Sequence, residues 1–176
     1  MRKIRFSSVL PVSFRGELER IVFFNPEQNL VIAPLLASVE RYGVPSIIED
    51  GDCLRFRVRA FGLLQTLYAL DETDELPRLV GVAMFTRESA SSILILHLAA
   101  HEDYTSQGKC ADVAVVAQLV AAIRVASMHT HGIRTLRILY PHEIRLTVRD
   151  QRKGSAVKWS REKPTQRHRQ VGSRIS

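Results

Sequence analysis

The stretch 92–140 constrains the fold of this chain more than any other part of its sequence. Residues 92–100 are apolar on both faces of a strand, which is typical of a strand covered on both sides. A polar loop, 101–109, leads into the longest apolar segment, 110–129, and a second strand-like run follows at 134–140. A strand–helix–strand segment of this length joins parallel neighbours in a sheet. The stretch therefore predicts a β-α-β unit whose helix, apolar nearly all round, is buried against the sheet.

The first third of the chain is expected to be mainly helical. A loosely alternating run at 3–9 predicts an opening strand. Helices are expected at 14–24 and at 26–42, and the second begins at the start signal Asn25-Pro26.

The middle of the chain predicts an antiparallel meander. Strand-like runs lie at 54–59, 64–70 and 79–86, and residues 92–100 form the fourth. The links between them are too short for a parallel crossover, so consecutive strands should be antiparallel neighbours. The fold class that follows is α/β (α+β): a mixed sheet with an antiparallel meander, then the β-α-β unit, and helices on both faces.

The charge of the chain is concentrated at its C-terminal end. The chain has 176 residues and a net charge of +7. Residues 151–176 hold eight basic and one acidic side chain, so the excess charge belongs to them and residues 1–150 are neutral. We therefore expect a single domain over 1–150 and a basic, disordered tail over 151–176. Such a tail either contacts nucleic acid or another anionic surface, or only keeps the protein soluble.

Several sequence features predict a reduced, cytoplasmic protein. The two cysteines, Cys53 and Cys110, form no disulfide framework. The first residues contain no apolar segment of secretory type. The apolar stretch 111–126 is interrupted by charged residues, which argues against a membrane span. His129 and His131 are two residues apart at a helix end and do not share a face, so we expect no metal site.

The loop before the long helix is the main candidate for chemistry. The first amides of a helix lack intrahelical partners and favour an anion. Gly108 allows a ligand to approach the backbone closely. The junction therefore predicts either a phosphate cradle or a simple turn.

The residues 79–140 resemble the GNAT family of acyl-CoA N-acyltransferases, as a divergent member. The order of elements is similar, and the acyl-CoA loop of that family follows the pattern (Gln/Arg)-x-x-Gly-x-(Gly/Ala), usually after an aromatic residue. Tyr104 matches the aromatic residue and Gly108 the central glycine. Thr105 and Cys110 stand where Gln or Arg and a second Gly or Ala are usual.

The resemblance implies transfer of an acyl group from acetyl-CoA, or another acyl-CoA, to an amine on a small molecule or a protein. It also implies which residues bind the cofactor. The amides around the glycine would hold the pyrophosphate, and the end of the preceding strand would pair with pantetheine and polarise the thioester carbonyl. These cofactor-binding candidates are Leu98, Ala99, Ala100, Thr105, Gln107, Gly108, Lys109, Cys110 and Ala111.

The implied reaction also requires a base, because an ammonium must lose a proton before it attacks. His97 is the first candidate, since it lies near the position where this family often has Glu. Glu102 is the second catalytic candidate, beside His101. The alternative for His97 is a buried core histidine.

Competing interpretations stay open. The departures at Thr105 and Cys110, together with Tyr140-Pro141-His142 in place of the family's C-terminal motif, favour a catalytically silent GNAT-like binding domain. A nucleic-acid-associated protein that acts through 151–176 is a third reading. The oligomeric state, monomer or homodimer, is also open.

Two further features, an arginine strip and a cysteine, each have a structural and a functional explanation. The strip Arg55, Arg57 and Arg59 is either a solvated face or a site for an acidic partner or a CoA phosphate. Cys110 at a helix start is either a packed residue or a nucleophile with a lowered pKa.

Overall fold

The computed structural model describes residues 2–25, 32–139 and 144–148. The expected start of the second helix at 26–31, the motif at 140–142 and the basic tail 151–176 lie outside the described residues.

A six-stranded mixed sheet forms the centre of the fold. Its strands are joined in the order β1-β5-β6-β7-β8-β9. All neighbours are antiparallel except β7 and β8, which are parallel and connected through helix α3 (Val115–Met128). The mixed sheet and its β-α-β unit are therefore as predicted. The strands are β1 (Ile4–Ser7), β5 (Gln65–Asp71), β6 (Arg78–Ser89), β7 (Ser92–Ala100), β8 (Thr135–Ile138) and β9 (Ile144–Thr147).

A separate three-stranded sheet corrects the expected meander. It contains β2 (Ser46–Asp50), β3 (Cys53–Val58) and β4 (Gly62–Leu63). The sequence predicts that the run 54–59 pairs with 64–70, but β3 pairs with β2, in a hairpin through Gly51 at φ +61°, and with the short strand β4, while Gln65–Asp71 belongs to the main sheet. The dry face of β3 still packs into the main core, as its alternation indicates.

In the part of the chain that the structure describes, the α-helices are α1 (Arg15–Phe23), α2 (Ile32–Tyr42) and α3 (Val115–Met128). The expected helix over 110–129 therefore begins five residues late. Its predicted first turn is instead a 3-10 turn at Ala111–Val113, followed by Ala114 in the left-handed region at φ +49°.

Helices cover both faces of the main sheet, as predicted. On one face, α1 buries Leu18 and Ile21 among side chains of β6 and β7. On the other face, α3 lies over β5, β6 and β7. Gly81 of β6 permits the close approach of α3, because a Cβ there would stand 2.5 Å from Val115 Cγ1.

Helix α3 packs against the sheet as predicted, but the expectation that it is a core helix rather than a half-exposed one is wrong. Val115, Leu119 and Ile123 are buried against the sheet, whereas Val116 and Val125 are exposed. By length and composition alone, the segment Ala111–Met128 could cross a membrane, and 22% of it is buried. In the fold this segment contains the helix of the β-α-β unit, and one side of that helix packs against the sheet.

Candidate functional site at the end of strand β7

Strands β7 and β8 are paired along only part of β7. Their register runs from Ser92 opposite Thr135 to Ile95 opposite Ile138, and the N–H of Leu139 donates to the Ile95 carbonyl at 3.3 Å. Strand β7 continues to Ala100, while β8 ends at Ile138. Beyond Ile95, the described residues supply no neighbouring strand on this side of β7.

A β-bulge lies where this pairing ends. In the β6–β7 register, Met84 is opposite His97 but the next residue, Phe85, is opposite Ile95, so Leu96 is the extra residue of β7. A bulge bends its strand and increases the local twist. The bulge therefore provides a physical reason for the pairing with β8 to end here.

Beyond the bulge, one edge of β7 pairs with β6, and the other edge, on the side of β8, has no neighbouring strand among the described residues. The N–H of His101 donates to the Val80 carbonyl at 2.9 Å, so His101 faces β6. Main-chain groups of a strand alternate between its two neighbours, so those of Leu98 and Ala100 point the other way. The side-chain amide of Asn25 reaches this edge and donates to the Ala100 carbonyl at 2.8 Å.

His97 lies beside this edge but is buried, with 8% of its surface exposed. Burial disfavours the charged imidazolium and lowers the pKa of His97 to about 4. The side chain is consequently neutral at pH 7. It is in the right protonation state for a base, but a pKa this far below 7 makes it a weak one.

The loop 101–114 folds on itself rather than forming an open cradle. The N–H groups of Gly108, Cys110 and Ala111 donate to carbonyls of Thr105, Asp103 and Gly108 at 3.0, 2.7 and 3.2 Å. Three of the five loop amides expected to hold a pyrophosphate thus donate within the loop, so these three do not fit a diphosphate in this conformation.

The remaining candidates of the loop differ in exposure. Glu102 lies in a 3-10 turn, Glu102–Tyr104, and is exposed, as are Gln107 and Lys109. The Thr105 hydroxyl donates to the Glu102 carbonyl at 3.0 Å. His101 accepts the Asp103 N–H at its Nδ1 atom, at 3.2 Å.

A buried polar cluster attaches this loop to the sheet. The Tyr104 hydroxyl donates to the Asp71 carboxylate, and Arg2 Nη1 lies 2.9 Å from the same oxygen. The Thr73 N–H donates to the other carboxylate oxygen at 2.8 Å. Burial by itself would raise the pKa of Asp71, but the hydrogen bonds from Thr73, Tyr104 and Arg2 hold it well below its usual range. Burial and the carboxylate of Asp71 raise the pKa of Tyr104, so this phenol stays protonated.

Sequence reasoning missed Asn25 and Asp71 as parts of this region. Asn25 was assigned as the start of a helix, and Asp71 follows a strand as any turn residue would. Neither has a local signal for a partner, because their contacts lie 75 and 33 residues away along the chain.

The structure places the arginine strip and Cys110 away from this edge of β7, in the small sheet and in the core. Arg55 forms an ion pair with Asp50 at 2.6 Å in the small sheet. Cys110 is buried in the core that faces α3. Within the described ranges, no group of three or more potential metal ligands comes together.

Comparison with known proteins finds no family model, no curated protein and no solved structure that matches this chain.

Proposed function

We propose that this protein is an N-acyltransferase that transfers an acyl group from an acyl-CoA to an amine of a small molecule or a protein. The observation that carries the proposal is that the described pairing of β7 with β8 ends at Ile95, next to the Leu96 bulge. A strand in the middle of a sheet seldom leaves main-chain donors and acceptors without a neighbouring strand, because desolvating them unpaired is costly. A ligand that carries amide groups along an extended chain, such as pantetheine, would satisfy this edge.

The site suits the pantetheine part of acyl-CoA better than its phosphates. Leu98 and Ala100 offer main-chain groups to pantetheine. The loop amides are closed, so the phosphates would depend on the exposed Lys109 or on a change in the loop. Acyl-CoA would supply the thioester, and neutral His97 remains the candidate to receive the proton that the amine must lose.

A second candidate function has a specific observation in its favour. The closed loop and the burial of His97 are what a catalytically silent domain of this kind would show. Such a domain would bind a pantetheine-like chain without turnover. The nucleic-acid reading depends on 151–176, outside the described residues, and stays a prediction.

Thermal unfolding with acetyl-CoA and with pantetheine tests the proposal. Both ligands should raise the Tm of the native chain, because each binds only the folded state. Lys109→Glu should reduce the shift caused by acetyl-CoA severalfold and leave that of pantetheine unchanged, since only acetyl-CoA carries phosphates. Arg134→Glu is the matched control, because Arg134 is exposed and lies at the opposite end of β7 and β8.

Turnover separates the two candidate functions. With a panel of amines, an acyltransferase should release free CoA thiol at a rate above hydrolysis. Binding of both ligands without thiol release would favour the silent domain, and no Tm shift with either ligand at millimolar concentration would overturn both.

A further inference from the structure

The carboxamide of Asn25 donates a hydrogen bond to the edge of β7 that has no neighbouring strand among the described residues. Helix α1 ends at Phe23, and the N–H of Phe24 still donates to the Arg20 carbonyl at 3.2 Å. Asn25 is the first residue to leave the helix, and its Nδ2 atom lies 2.8 Å from the Ala100 oxygen.

The Ala100 carbonyl needs such a donor when no ligand is present. Ala100 is 3% exposed, so water has little access to the residue. Ala100 lies opposite Gly81 of β6, and the hydrogen bond between the two strands is made by the next pair, His101 and Val80. The carbonyl therefore points away from β6, and a buried carbonyl without a partner is destabilising.

A chain that pairs with this edge must present its own N–H to the same oxygen. The Ala100 oxygen that such a chain would use already accepts from Asn25 Nδ2 at 2.8 Å. We propose that Asn25 is a displaceable gate, an autoinhibitory contact that a pantetheine-like ligand must exchange for its own amide. This inference rests on the proposed function, since it concerns the same edge.

The gate predicts tighter binding when its donor is removed. Native binding exchanges one hydrogen bond for another, whereas binding to the Asn25→Ala protein gains the bond outright. The net value of such a bond corresponds to roughly 2- to 10-fold in affinity.

Pantetheine is the suitable probe, because it has the amides but none of the charges of CoA. Its Kd would be measured by calorimetry on the full chain for the native protein, Asn25→Ala and Asn25→Asp. Both variants lack the donating amide and should bind pantetheine about 2- to 10-fold more tightly. Thr130→Ala is the control, because it removes another side chain–main chain hydrogen bond, to Ala126 at the far end of α3, and should leave Kd unchanged.

Each result decides the inference. Tighter pantetheine binding by both variants than by the native chain supports the gate. Equal or weaker pantetheine binding by Asn25→Ala or Asn25→Asp, in a variant that still unfolds cooperatively above the assay temperature, overturns the gate and leaves the proposed function standing. If no protein, native or variant, binds pantetheine or acetyl-CoA, the gate and the proposed function fail together.

Discussion

Gly108 has a different role from the one its sequence context suggests. In the sequence it leaves room for a ligand, whereas in the structure its missing side chain leaves room for the loop's own backbone. A Cβ at this position would stand inside 3.0 Å of the Glu102 oxygen and of the Asp103 carbonyl. These are main-chain atoms, which cannot rotate away as a side chain can.

We therefore expect Gly108→Ala to destabilise the protein without any ligand. Overpacking of this kind costs about 1–3 kcal/mol, which corresponds to a fall in Tm of roughly 3–10 °C for a domain of this size. Gly16→Ala is the matched control, because no atom lies within 4 Å of a Cβ there and alanine favours the helix α1. Thermal unfolding should show a small rise for Gly16→Ala. An unchanged Tm for Gly108→Ala would contradict the packing of the loop.

The same result limits what a substitution at Gly108 can say about function. A large residue there would remove cofactor binding by unfolding the loop, whatever the loop binds. Variants at Lys109 and Asn25 avoid this problem, since the first is exposed and the second acts through a side-chain hydrogen bond. At the residue scale, the sequence correctly places a loop between β7 and α3, whereas the role of Gly108 could be recognised only from its contact with Glu102.

Helix α3 illustrates what periodicity can and cannot predict. Its existence and its parallel connection follow from a long apolar segment between two strands, and the structure confirms both. Its first residue could not be predicted, because the polar loop closes through its own turns up to Ala114. The exposed side of α3 was also missed, since alanine and valine are apolar whether or not they face a neighbour.

Ala114 should be a source of strain at the start of α3. It precedes the helix with φ +49°, a conformation that costs a residue with a Cβ about 1–2 kcal/mol. Ala114→Gly is expected to raise Tm by a few degrees, whereas Ala121→Gly, in the exposed helix interior, should lower it, since glycine costs about 1 kcal/mol there. Circular dichroism on heating measures both. Lower Tm values for both variants would show that Ala114 is not strained.

Strand pairing marks the limit of prediction at this scale. The alternation of β3 correctly indicates its buried and exposed faces. The sheet to which it belongs depends on whether Ser46–Asp50 pairs with it first. Strand β3 pairs with β2 on one edge and with β4 on the other, and strands as short as β2 and β4 have too weak a sequence pattern to be predicted.

At the scale of the whole molecule, Asp71 connects parts of the chain that are far apart in sequence. Its carboxylate receives hydrogen bonds from Arg2 before β1 and from Tyr104 in the loop after β7. With 4% of its side chain exposed, this charge is stabilised almost entirely by protein donors. The position of the candidate loop relative to the sheet consequently depends on whether Asp71 is ionised.

This dependence predicts how the native fold responds to acid. The pKa of Asp71 lies below its value of about 3.9 in the unfolded chain, so its contribution to stability is complete above that pH and is lost as pH falls toward the folded pKa. Asp71→Asn removes the contribution, so the Tm difference from the native chain should be largest near pH 6 and should narrow between about pH 4 and pH 2. Asp74→Asn, which removes an exposed carboxylate three residues away, should cause a small difference that does not narrow in this way. The measurement is the Tm of the three proteins across this pH range. A Tm difference between Asp71→Asn and the native chain that is the same at every pH would mean that the carboxylate is not held ionised by Arg2 and Tyr104.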